Sequence, residues 1–408
     1  MERIDAVVQS YPWGSRTLLA ELMGNAAPTE RPQAEAWFGA HPLAPSSVGG
    51  RPLTDVIAED PAAALGRAAE MADGTLPFLL KVLAAEEPLS LQAHPTLQQA
   101  REGFAAEDEA GIPLTAPNRN YRDANHKPEL VVALTRFDAL AGFRPVARTL
   151  ELFRELAVPE LDHYTVLLGG GSEADGLRAL FTTWLTLPPR VLDGLVEVVR
   201  ARCEAYEGEG WVADIAATTA DIASRYPGDP GVLASLLLNR ITLEPGQGIY
   251  MGAGKLHAYL SGMGVEVMAN SDNVLRGGLT SKHVDIVELL RVLDFEPSED
   301  PVVRPVVDGD VHRYETPADE FRLTRREIPA GGSSDITEPG AIVVLVTSGG
   351  ALLEGGPDNI EVPCGHAAWV PADGVRCRVS PLADADGATV FVASVPEPRG
   401  DASESDAG

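Results

Sequence analysis

The chain has 408 residues and a formal net charge of −28, with 45% hydrophobic and 23% charged side chains. That length supports a large core in two or three domains, and the negative field argues against nucleic acid or an anionic membrane surface as a partner. No stretch approaches the ~20 apolar residues of a membrane span, and Met1-Glu2-Arg3-Ile4-Asp5 lacks the basic-then-apolar order of a secretory signal. Cys203, Cys364 and Cys377 stand in no zinc-like spacing and suit a reducing cytoplasm, with Cys364 and Cys377 as conceivable neighbours. Any phosphate site must be built locally from Arg, Lys and backbone N–H groups. Of 32 basic side chains only four are lysine. These are Lys81, Lys127, Lys255 and Lys282, and all fall in stretches that carry candidate ligands.

In chain order, Tyr11-Pro12-Trp13-Gly14 precedes a weakly alternating strand, Ala34 to Pro42. Glu35 and His41 in it are potential metal ligands, better read as rim residues. Thr54 to Ala69 reads as helix, with a break at Asp60-Pro61. Leu76 to Leu83 is an apolar run interrupted by Lys81, whose ammonium needs a partner if buried. Leu89-Ser90-Leu91-Gln92-Ala93-His94-Pro95 alternates, with Leu89 and Leu91 on one side and Ser90, Gln92 and His94 on the other. Gln92 and His94 so placed can share one metal ion. A helix from Leu97 to Ala110 follows, then a polar loop that becomes a strand at Asn125-His126-Lys127-Pro128-Glu129. Glu129 makes a third ligand, and Phe137 to Pro145 continues the sheet.

From Ala147 to Asn239 the apolar spacing turns helical, with breakers at Pro188-Pro189 and Pro227-Gly228-Asp229-Pro230-Gly231. This predicts an inserted block of about five helices. Strands resume at Ile241. The glycine-dense Leu243 to Tyr259 suits tightly turned strands of a jelly-roll kind and supplies His257 as a fourth ligand, with Tyr259 on the same face. Gly264 to Ala269 alternates with Glu266 on its polar side. The loop from Asn270 to Lys282 holds Asp272 and Arg276, Val284 to Leu293 reads as helix, and residues 300 to 395 read as a second β region without a metal cluster.

Gln92-Ala93-His94-Pro95, Asn125-His126-Lys127-Pro128-Glu129, Gly254-Lys255-Leu256-His257-Ala258-Tyr259 and Ser271-Asp272-Asn273-Val274-Leu275-Arg276 together resemble the signatures of type I mannose-6-phosphate isomerases. Tyr11-Pro12-Trp13-Gly14 and Ala34-Glu35-Ala36-Trp37 match as well, so the resemblance covers at least residues 10 to 295. It implies a mainly β fold with an α insertion: two cupin-type jelly-roll β barrels plus a helical domain. The expected division is 1–146 and 240–298 as a discontinuous catalytic cupin domain, 147–239 as the helical insert, 299–397 as a metal-free cupin-like domain, and 398–408 as a disordered acidic tail. The resemblance implies one zinc ion per chain, held by Gln92, His94, Glu129 and His257, and gives Arg276 a catalytic role. It further implies a cytoplasmic monomer acting on a sugar phosphate. Lys255 matches no feature of the family, and the last hundred residues match poorly.

The expected reaction interconverts mannose 6-phosphate and fructose 6-phosphate by moving a proton between C1 and C2 through an enediol. It needs a proton carrier and charge stabilisation at O1 and O2. Two His, one Glu and a neutral Gln leave a divalent ion net positive with an open position; iron or manganese would also accept this set. Lys127, with His126 beside it, is the candidate proton carrier, its pKa lowered near a dication, and Asp272 is the carboxylate alternative. Arg276 suits the enediolate or the phosphate. Lys81, Ser90 and Lys282 are phosphate candidates, and Tyr259 and Glu266 line the substrate site. Carbohydrate breakdown and supply of glycan precursors such as GDP-mannose are both compatible. Two other readings share these residues: a cupin oxygenase, which would ordinarily place its two His and Glu in one short motif, and a sugar-binding protein without catalysis.

Overall fold

The structure is a computed structural model describing residues 1–396 apart from 299, 357 and 374–376. The tail expected at 398–408 lies outside the described residues. The architecture is mainly β, with antiparallel pairing throughout the named strands and a helical block packed on one side.

The centre of the half that carries the candidate ligands is the strand Phe78–Ala85, buried along its whole length. It pairs with Glu35–Gly39 on one side and with the long strand His257–Ala269 on the other. Alternation gives each face its own task. Phe78, Leu80, Val82 and Ala84 enter an apolar core shared with the C-terminal half, while Leu79, Lys81 and Leu83 line a cavity. The 13-residue strand His257–Ala269 serves two sheet regions. Its first part pairs with Phe137–Phe143, placing His257 opposite Ala141 and opposite Gln92, and its second part pairs with Phe78–Ala85 and Glu129–Ala133. The corner falls at Gly262, where φ is +113° and a Cβ would lie 2.5 Å from the Arg136 carbonyl oxygen. Only glycine turns the strand there without strain.

The helices Val146–Leu156, Glu173–Leu185, Pro189–Glu204, Trp211–Arg225 and Pro230–Ser235, with the single turn Asp162–Thr165, occupy the expected helical stretch. Their apolar faces form one core with Leu91, Ala93, Leu140, Phe143, Ala258 and Leu260 of the sheet. The alternation read in the sequence holds only from Leu91 on: Leu91 and Ala93 pack toward the helices and Gln92 faces the other way into the cavity, whereas Leu89, expected on the side of Leu91, precedes the strand and lines the cavity with Ser90. Caps fix the helix starts. Thr96 and Gln99 form a reciprocal capping box before Leu97–Glu109, and the Asp60 carboxylate accepts from Ala63 N–H at the break seen in the sequence.

The C-terminal half packs a nine-stranded sheet against a four-stranded one, with Val344, Val346, Leu353, Val362, Val379, Val390 and Val392 between them. Two strand exchanges cross the division expected from the sequence. Glu2–Asp5, assigned with the rest of 1–146, runs instead in the nine-stranded sheet between Ala367–Val370 and Ser47–Val48. Ile4 buries its side chain in the core common to both halves, and the ladder satisfies backbone groups that an edge would leave open. Conversely, Val302–Val303 pairs with Gly248–Met251 of the ligand-bearing half. No helix among the described residues is long and apolar enough to cross a membrane.

Candidate metal centre and cavity

His94, Glu129 and His257 bring their ligand atoms within 4.8 Å of one another, and all three are buried. Each comes from a different place in the fold. His94 follows the strand Leu91–Ala93, Glu129 opens Glu129–Ala133, and His257 opens His257–Ala269. Gln92 lies across the ladder from His257 on the cavity side, and its amide Nε2 donates to Ser90 Oγ at 3.3 Å.

Both imidazoles are oriented by main-chain carbonyls. His94 Nδ1 lies 2.8 Å from the Asn273 carbonyl oxygen and His257 Nδ1 lies 2.9 Å from that of Lys255. A ring nitrogen facing a carbonyl oxygen carries the proton, so each Nε2 presents a lone pair. The two Nε2 atoms converge on Glu129 Oε1, at 3.4 Å for His94 and 2.9 Å for His257. Burial pushes the His94 imidazole down to about 4, which keeps it neutral at ordinary pH. Burial raises the Glu129 carboxyl, but the Lys127 ammonium beside it counters this, and the carboxyl lies well below the usual carboxylate range. Two imidazoles presenting Nε2 and a carboxylate, all buried and pointed at one spot, are a donor set for a divalent cation. His94 Nε2 has no hydrogen-bond partner in this buried position.

Around this cluster opens a cavity of about 400 Å³, in the size range of small-molecule sites. Its wall carries a second charged group. Lys81 Nζ lies 2.5 Å from Glu266 Oε2 and 3.4 Å from Glu35 Oε1. Burial alone would lower the Lys81 ammonium, yet Glu266 and Glu35 raise it above its ordinary value. Burial leaves the Glu266 carboxyl raised despite Lys81. The Tyr259 hydroxyl donates toward Glu129 at 3.4 Å and Glu266 at 3.3 Å, and burial with these two carboxylates drives its pKa well above that of a free phenol. Trp37 Nε1 donates to Glu35 at 2.7 Å. Tyr11 stacks on Trp13 at the rim, with ring centres 5.7 Å apart.

A family model for "Phosphomannose isomerase type I, catalytic domain" matches residues 1–146. The mannose-6-phosphate isomerase of Escherichia coli K12 is 37% identical over 382 residues, covering 91% of this chain and 95% of that protein. The chain belongs to the type I mannose-6-phosphate isomerase family. Mannose-6-phosphate isomerase 1 of Arabidopsis thaliana is 32% identical, covering 91% of this chain and 90% of its own. Among solved structures, a zinc-bound holo mannose 6-phosphate isomerase superposes with a TM-score of 0.88 at 35% identity, covering 97% of this chain and 99% of the other. The apo form from Salmonella typhimurium gives 0.87 at the same identity and coverage.

Within this family member, the residues singled out from sequence fall into three groups. Gln92, Glu129, His257, Lys127, Asp272, Arg276, Lys81, Ser90, Tyr259, Glu266 and Lys282 all line the cavity, and His94 lies fully buried in the cluster beside it. Lys127 Nζ is 3.1 Å from Glu129 Oε2. Asp272 pairs with His41 at 3.4 Å. Burial pushes its carboxyl up, but His41, Lys127 and Arg122 prevail and hold it below the ordinary value. Arg276 and Lys282 have no carboxylate partner among the described residues; burial lowers both, and repulsion from Arg122 adds to it. Two residues depart from the pattern. Lys255 reaches Asp294 at 2.6 Å outside the cavity and serves the site through its main-chain carbonyl. His126 does not join the cavity: its Nε2 meets Glu320 of the C-terminal half, whereas Lys127 Nζ lies beside Glu129 in the cavity wall.

Sequence reasoning missed Asp123 and Asn273, which stitch the two site loops together. Asn273 Nδ2 donates to the carbonyl oxygens of Asp123 and Asn125, both at 2.8 Å, and its Oδ1 accepts from Arg122 N–H at 2.7 Å. The Asp123 carboxylate accepts from Ser271 Oγ and Asp272 N–H, both at 2.8 Å. Because the Asn273 carbonyl also orients His94, Asn273→Ala should weaken metal retention by about 10–100-fold, the range for partners that orient a ligand. Competition with a graded chelator measures this; retention equal to the parent's would show that the loop holds without the Asn273 side chain.

Proposed function

We propose that this chain is a zinc-dependent aldose-ketose isomerase that interconverts mannose 6-phosphate and fructose 6-phosphate through an enediol. The observation that carries the reading is the buried His94–Glu129–His257 cluster with both Nδ1 atoms pinned by carbonyls, beside a cavity holding Lys127 and two unneutralised cations. Family membership and the zinc-bound structural relative support it. We read the two β halves as cupin-type barrels, with 147–239 inserted in the first and the β region after residue 299 as the second, joined by the strand exchanges described above.

Gln92, His94, Glu129 and His257 would hold the ion. Zinc in such a set acts as a Lewis acid toward sugar oxygens and stabilises negative charge developing at O1 and O2. Lys127 takes the C2 proton of the aldose and returns it to C1, the hydroxyl proton shifting between O2 and O1, so no redox co-reactant is needed. Asp272, ionised beside His41, is the other group able to accept a proton there. Arg276 and Lys282 are free to meet the dianionic phosphate, with Ser90 as a neutral donor. Lys81 is already committed to two carboxylates, so its role is to hold Glu266 and Glu35 in place.

The test is a coupled assay for fructose 6-phosphate formation on purified protein. Turnover should fall by at least about 100-fold on exhaustive chelation and return with zinc. Absence of turnover with zinc shown to be bound would overturn the isomerase reading, and turnover surviving verified metal removal would overturn the zinc assignment.

A further inference from the structure

His126 is the site candidate that the fold turns away from the cavity, and its partner connects two parts of the molecule. Its Nε2 lies 2.5 Å from Glu320 Oε1. Glu320 sits just before the strand Arg322–Pro329 of the C-terminal half. The cavity-lining residues all fall between Tyr11 and Lys282, so the C-terminal half contributes none of them. The His126–Glu320 pair is therefore a side-chain route by which that half reaches the segment carrying Lys127.

The local backbone gives the route its leverage. Lys127 precedes Pro128, and ring sterics bias the residue before proline toward extended conformations. In an extended chain neighbouring side chains project to opposite sides. Holding His126 outward on Glu320 thus holds Lys127 inward, where its Nζ meets Glu129 at 3.1 Å. The main chain is tied on both sides of this pair: the Asn125 carbonyl accepts from Asn273 Nδ2 at 2.8 Å, and the Pro128 carbonyl accepts from Ala269 N–H at 3.1 Å. Between these ties, His126 supplies the side-chain anchor. Burial pushes the Glu320 carboxyl up, but His126 and nearby backbone N–H groups hold it below its ordinary value, so it is an ionised acceptor at neutral pH.

We propose that Glu320, acting through His126, is a positioning residue that aims Lys127 at the reacting carbons, which makes the C-terminal β half part of the catalytic apparatus. This rests on the reading of Lys127 as the proton carrier. Glu320→Ala and Glu320→Gln in the full-length zinc-loaded protein test it. Misplacing a catalytic group by about 1 Å costs on the order of 10²-fold. Glu320→Ala should accordingly lower kcat by roughly 10–100-fold, with KM and zinc content unchanged. Glu320→Gln, which keeps an oxygen acceptor for the imidazole, should recover most of that loss.

A second readout does not depend on turnover. The chain has four lysines, so ¹³Cε-lysine labelling gives a resolvable NMR spectrum, with Lys127 assigned through Lys127→Arg. The Lys127 signal should move in Glu320→Ala and return toward its original position in Glu320→Gln. An unmoved Lys127 signal with kcat essentially unchanged in both variants would overturn the proposal. So would loss of zinc or of the folded state in step with activity, since that marks a general structural contact. If the parent protein itself does not turn over mannose 6-phosphate, the function reading fails, and the Lys127 signal alone decides whether Glu320 sets its position.

Discussion

Lys127→Ala should lower kcat by ~10²–10⁴-fold, the span typical of removing a general acid–base group, with zinc still bound. The geometry separates the two effects. Lys127 Nζ contacts Glu129 Oε2, whereas the histidine nitrogens approach Oε1. Removing the ammonium therefore leaves the three converging ligand atoms as they are. Lys127→Arg is the informative companion. It restores a positive charge beside Glu129 but cannot give up a proton near neutral pH, so it should remain impaired if proton transfer is the role and recover if only the charge matters. Steady-state kinetics with zinc quantified in the same samples checks this. A loss smaller than about tenfold in Lys127→Ala would move the proton-transfer role to Asp272.

The second large effect is on stability. Lys81 is held between Glu35 and Glu266, and all three side chains are buried. Breaking a buried ion pair from one side costs about 3–5 kcal/mol, because the partner charge is stranded away from water. Lys81→Met should therefore lower the unfolding temperature sharply at neutral pH. The pH dependence has a definite sign. Lys81 is raised in the folded state, so its contribution is fully present below its unfolded value and is lost only as pH rises through strongly alkaline solution. In Lys81→Met the remaining carboxylates must be protonated to stay buried. Burial already leaves the Glu266 carboxyl raised. A group raised on folding favours the folded state as pH falls, so the variant should regain part of its lost stability on moderate acidification. Adding Glu266→Gln removes one stranded charge and should recover a substantial share, which a double-mutant cycle would quantify. A loss below about 1 kcal/mol for Lys81→Met would mean that water or a rearranged partner reaches the carboxylates.

The ligand set was legible because its members sit in short motifs whose periodicity shows their facing. Leu91 and Ala93 pack on the helical block, so Gln92 had to face the opposite way. The apolar run around Lys81 signalled a buried ammonium needing a partner, and the structure supplies two. His126 was named beside Lys127 as a catalytic candidate, and the structure pairs it with Glu320 instead; Pro128 held the clue, since a residue biased toward extended backbone before proline sends its predecessor's side chain to the other side. Asn273 was invisible for a different reason. Its value lies in contacts with Arg122, Asp123 and Asn125, some 150 positions away, and an asparagine in a polar loop looks like any turn residue. The strand Glu2–Asp5 was missed on the same grounds, since its partners are set by tertiary pairing and not by local pattern.

That first strand has a consequence for how the chain is made. Ile4 pairs with Ala367 across a ladder in the interior of the nine-stranded sheet. A ribosome adding about 5–20 residues per second needs on the order of 20–70 s to deliver the partner after the first strand has emerged. Throughout that interval Ile4 has only Ser47–Val48 beside it and lacks its partner on the other side, and the closing contact joins segments far apart in the chain. The nine-stranded sheet thus becomes complete only after synthesis of its last strands. A fragment ending before residue 367 would present an orphaned strand to chaperones and to other copies of itself, so premature termination is more hazardous for this topology than for one whose halves mature in sequence.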